Sequence, residues 1–150
     1  MAFFETKISH VRFTMSPFTS DQMAAVGQAT LDSILDRISK AQASDDTPAR
    51  PLVPVYARRK IQRGRAPVRD WFWRGLTTRS MKVKRASEDE VVLGPVNEQA
   101  YVIIKAQNAK DIRAGGKALW GASPHDQEAM QAALYEQLRV KSPVRVEMVA

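Results

Sequence analysis

The sequence predicts an α+β fold: a mostly antiparallel sheet packed with a long N-terminal helix and a C-terminal helix, with extended arms at both ends. Three observations carry this reading. Apolar residues recur at helical spacing from about Asp21 to Ala43, two period-two stretches around Met81 and Val91 face each other across a polar turn, and Ser123-Pro124 opens another helical stretch. A chain of 150 residues, 44% hydrophobic and 26% charged, has the length and usage of one domain that buries roughly 70% of its unfolded surface. Residues 1–150 are therefore expected to form a single domain, with 1–18 as an extended arm and 141–150 as a terminal strand.

Taken in order, Val11, Phe13 and Met15 alternate as a short strand or extended arm, and Pro17 ends it. Thr19 with Gln22 then supplies an N-cap signature. The helix that follows places Met23, Val26, Leu31, Ile34, Leu35, Ile38 and Ala41 on its apolar stripe and leaves Asp32, Asp36, Arg37 and Lys40 elsewhere. Residues 44–51 are a polar loop with two prolines. Pro54 sits where a first helical turn tolerates it, so Val55 to Arg63 reads as a short helix closed by Gly64.

Thr77 to Arg85 reads as a strand with Met81 and Val83 on one side and Lys82 and Lys84 on the other, and Glu90 to Gly94 as its return. Asn97 caps a helix to about Asn108 that buries Ala100, Ile103 or Ile104, and the Ala109 side. Gly115-Gly116 breaks the chain. Ser123, Pro124 and Asp126 combine a capping side chain, a proline at the first helical position and a first-turn acid, opening a helix to about Val140 through Met130, Ala133, Leu134 and Leu138. Beyond Pro143, Val144, Val146 and Met148 alternate as a strand that either closes the sheet or is donated to a neighbour.

Composition removes several kinds of chemistry. With no cysteine, disulfides, thiol nucleophiles and thiolate metal sites are excluded. No segment approaches the ~20 apolar residues of a membrane span, so a soluble product that does not enter a membrane is expected. His10 and His125 lie far apart without metal-ligand spacing. Asp45-Asp46 and Glu88-Asp89-Glu90 fall in turns, where acids are simply solvated, and Gly115-Gly116-Lys117 lacks the spacing of a phosphate loop. No nucleophile–base pair, dinucleotide fingerprint or zinc pattern is present, so neither catalysis nor a cofactor is expected.

The net charge of +7 is unevenly placed. Between Arg58 and Arg85 there are eleven lysines and arginines against Asp70 alone, so that segment carries +10 and the rest of the chain −3. A clustered positive potential attracts polyanions irrespective of their sequence. Arg58, Arg59, Arg63 and Arg65 are the candidate contacts to a partner or to DNA. Trp71, Phe72 and Trp73 are consecutive, without the alternate spacing of a strand-borne stacking platform, and read with Trp120 as core or interface anchors.

The run Leu52, Val53, Pro54, Tyr56, Ala57, Lys60, Gly64, Pro67, Val68, Arg69, Asp70 resembles a segment of phage virion morphogenesis and tail-completion proteins. Gly75 to Ser80 keeps that family's glycine–serine spacing, Val83 and Val91 to Gly94 fit its hairpin, and Trp120-Gly121-Ala122-Ser123 fits the motif that opens its last helix. Thr77 stands where that family has leucine. The resemblance, over roughly residues 20–140, implies a structural virion component of the head–tail connector. Such a protein forms a homo-oligomeric ring between portal or adaptor and tail, is assembled in the host cytoplasm, needs no cofactor, and touches DNA passing through the ring only without sequence preference. The alternative is a basic nucleic-acid-binding module built on Arg58 to Arg85.

Overall fold

The structure is a computed structural model that describes the backbone of residues 4–7, 10–13, 18–70 and 76–141, and the side chains of residues 18–70 and 77–139. Trp71, Phe72 and Trp73, and the expected strand from Val144 onward, lie outside the described residues. The chain is α+β. Two short antiparallel strands, β1 (Phe4–Lys7) and β2 (His10–Phe13), precede helix α1 (Ser20–Ser39), and the short helices α2 (Pro54–Gln62) and α3 (Leu76–Ser80) follow. A hairpin of β3 (Met81–Ala86) and β4 (Val91–Pro95) leads into α4 (Glu98–Arg113) and α5 (Pro124–Lys141). The expected N-terminal arm is thus a small hairpin, with β2 lying alongside β4. Among the described residues, no helix is long and apolar enough to cross a membrane.

Helix α1 is the hub. It packs on the β3–β4 hairpin along one side and on α5 along another. Its start is a capping box: the Thr19 hydroxyl accepts from the Gln22 N–H at 3.2 Å, and the Gln22 side chain accepts from the Thr19 N–H at 2.9 Å. The predicted stripe is its buried face, since Met23, Val26, Leu31, Ile34 and Ile38 are all inside and Leu35 packs against them. The helix ends at Ser39, not near Ala43. Lys40 caps it, and Ala41 turns the chain through a positive φ of 54° toward a bridge between Gln42 and Pro48.

Gly27 explains how closely helix and hairpin approach. A Cβ there would lie 2.5 Å from a Val91 methyl and 3.3 Å from one of Val83, so the contact is between helix backbone and strand side chains. Leu93, Val91 and Met81 of the hairpin, Ile104 of α4, Met130 and Leu134 of α5, Trp120 and Phe18 belong to the same buried cluster.

The hairpin differs from expectation in its first strand. Thr77 to Ser80 is helical, and Ser80 donates its hydroxyl to the Thr77 carbonyl at 2.8 Å within α3. Alternation puts Met81 and Val83 toward the core and Lys82 and Lys84 outside, and a register shift between Val83 and Arg85 leaves Lys84 as a bulge that returns Ala86 to the core side. Helix α4 begins on Asn97, whose side chain accepts from the Ala100 N–H at 3.0 Å, and runs five residues past the expected end. Its buried face is Ala100, Ile104, Asn108 and Asp111, while Ile103 and Ala109 are exposed. The buried polar pair at its C-terminal half is what apolar periodicity alone misses.

Candidate interaction surface

The interior of this protein contains polar locks as well as apolar packing, and they determine what is left outside. The first is Arg37, which is 2% exposed rather than on the solvent face where the sequence placed it. Its Nε donates to Asp126 Oδ2 at 2.8 Å, and its two terminal nitrogens donate to the carbonyls of Gln42 (2.9 Å), Leu119 (3.2 Å) and Gly121 (2.6 Å). Asp126 accepts in addition from the Ser33 hydroxyl at 2.7 Å and the Ser123 N–H at 3.0 Å, while the Ser123 hydroxyl accepts from the Asp126 N–H at 3.1 Å. A buried charge is tolerable only when it is paired and its remaining hydrogen-bonding capacity is used, and both conditions hold here. The residues Trp120 to Asp126 are therefore a structural clasp that seats α5 on α1.

Trp120, a candidate anchor, is 3% exposed and belongs to the core. Its backbone is held to α4 by the Asn108 amide, which both donates to the Trp120 carbonyl and accepts from its N–H, each at 3.4 Å.

The second lock joins residues far apart in the chain. Arg50, before α2, and Arg69, after it, both pair with the buried carboxylate of Asp111 on α4, at 3.2 and 2.7 Å. Arg69 also donates to the Gln107 side chain at 2.8 Å. Both ends of the 50–69 excursion are thus fastened to one acid. Inside the excursion, the Lys60 ammonium, 2% exposed, donates to the Val68 carbonyl at 2.7 Å and pairs with Asp70. Gly64, at φ +67°, lets the chain turn back at the end of α2 so that residues 65–70 reach Lys60.

What the excursion presents outward is α2 itself. Of its nine residues only Lys60 is buried, and no described helix or strand packs closely on it. Arg58, Arg59 and Arg63 are exposed and Arg65 half-buried. Val53 at 64%, Val55 at 57% and Ile61 at 57% exposure stand among these cations. Val55, Arg58, Ile61 and Gln62 follow helical spacing on the outward face, so the surface is mixed apolar and cationic rather than purely basic. The structure places Arg58 and Arg59 on one short helix and Arg63 at its C-cap. Trp71, Phe72 and Trp73, which follow the excursion, are outside the described residues.

Sequence reading missed Arg37 and Asp111 as buried charges. Position supplies the signal that would have found them: Arg37 falls three residues after Ile34, and Asp111 seven after Ile104, both on the apolar stripe. No family model, curated protein or solved structure matches the chain.

Proposed function

We propose that the protein is a structural virion component of the phage head–tail connector, a neck or tail-completion protein that assembles as a homo-oligomeric ring between portal or adaptor and tail. The observation that carries this reading is the outward presentation of α2. Lys60, Arg69 and Asp70, three residues of the motif on which the resemblance rests, are used in locks that hold a mixed basic and apolar helix away from the core. Exposed valine and isoleucine among arginines suit a surface that is covered on assembly. The alternative, a nucleic-acid-binding module on the same segment, is supported by Arg58 and Arg59 on α2 with Arg63 at its C-cap, but the exposed Val55 and Ile61 of the same helix have no counterpart in contacts to phosphate.

Electron microscopy of the purified protein and of assembled particles tests the reading. Rings, or density at the particle neck, are the expected result. A protein that stays monomeric and is absent from particles refutes it. Retention on duplex DNA that falls steeply with salt, with no assembly at any concentration, favours the alternative.

A further inference from the structure

We propose that α2 of one copy docks on the outward face of α1 and α5 of the next, giving a head-to-tail contact; this rests on the ring reading and names its surfaces. A ring is generated by a heterologous interface, in which one patch meets a different patch on the neighbouring subunit. The donor patch is the α2 excursion, with Arg58 and Arg59 exposed beside Val55 and Ile61. The chain itself carries a surface of opposite sign. Helices α1 and α5 pack side by side; among their described side chains Asp36 pairs with Lys40, which caps α1, and Glu136 with Arg139, so that Asp21, Asp32 and Glu128 are the exposed acidic excess.

The same two helices also expose small and apolar side chains. Ala25 and Ala132 are small and exposed, and Tyr135, 72% exposed, is the most exposed large apolar side chain of the described residues. A tyrosine ring beside a guanidinium adds a cation–π attraction to the charge pairing. Another exposed apolar surface among the described residues, around Val102 and Ile112 on α4, carries Lys105, Lys110 and Arg113 against Glu98 alone and repels a cationic helix. Charge therefore selects the α1–α5 face over the α4 face of a second copy.

The test uses two full-length variants, Arg58→Glu with Arg59→Glu on the donor, and Asp32→Lys with Glu128→Lys on the acceptor. All four positions are exposed, and circular dichroism and thermal melting establish that both variants fold. Analytical ultracentrifugation is expected to show that each variant alone loses assembly, with the apparent dissociation constant raised more than about 100-fold by like-charge contact. Mixing the two variants restores assembly, because each then offers the other a complementary face on both sides. Assembly by either variant alone overturns the proposal and leaves the ring reading standing. Failure of the mixture overturns the pairing of these two faces. A donor variant that assembles normally but loses binding to labelled duplex DNA overturns it in favour of α2 facing nucleic acid. A wild-type protein that is monomeric at every concentration overturns the ring reading itself.

Discussion

Arg37 and Asp126, 89 positions apart in the chain, meet at 2.8 Å with both side chains inaccessible to water. The pair ties the C-terminal half of α1 to the first turn of α5 and gathers the carbonyls of Leu119 and Gly121 on the way. Removing one partner strands the other charge in the interior, which costs about 3–5 kcal/mol. Arg37→Met or Asp126→Asn is therefore expected to lower the unfolding free energy by that amount in urea titrations. Loss of less than about 1 kcal/mol would mean the pair is reached by water.

Asp111→Asn is expected to act locally. With the carboxylate gone, Arg50 and Arg69 lose their shared charge partner; hydrogen bonds to charged groups contribute about 1.5–3 kcal/mol. Hydrogen exchange and limited proteolysis should show residues 50–70 opening while the amides of α1 and α5 keep their protection. Equal loss across the whole chain would contradict the separation of excursion and core.

Gly27→Ala inserts a methyl group where a Val91 methyl already stands. Overpacking of this kind costs about 1–3 kcal/mol, and the melting temperature should fall accordingly. A neutral or stabilising effect would show that the hairpin yields to the helix.

Acid stability should depend in part on Asp46. Partial burial opposes its ionisation, but hydrogen bonds from the Ser123 hydroxyl and the His125 N–H, together with the charge of Arg37, outweigh that and hold its pKa below the ordinary value. A carboxyl whose pKa is depressed on folding contributes stability that is fully present above the unfolded value of about 3.9 and is lost as pH falls through the folded value. Asp46→Asn should thus weaken the protein above that range and flatten the decline below it. Urea titrations across an acid pH series measure both limbs.

The fold was legible wherever a local rule decided the outcome. Thr19, Asn97 and Ser123 cap the helices they were read to cap, Pro54 opens α2, Gly64 follows its end, and the stripe from Met23 to Ile38 is the core face of α1. What was not legible depends on contacts distant in sequence. Arg37 reads as a solvent residue until Asp126 is known to sit beside it, and Asp111 until Arg50 and Arg69 are. Thr77 to Ser80 looks extended from its alternation, but it coils into α3 and packs against α4. At the candidate surface, composition located the cations of α2. Only the structure revealed that Lys60 and Arg69 are withdrawn from it while Val55 and Ile61 are added.

The single carboxylate beneath both feet of the excursion also bears on how such a protein diverges. The outward positions between those feet, Val55, Arg58 and Ile61 among them, contribute nothing to the apolar interior, so substitutions there can alter what the molecule recognises without asking the scaffold to refold. Lineages sharing this scaffold should therefore vary at those outward positions and keep Lys60, Gly64, Arg69 and the acid that anchors both feet.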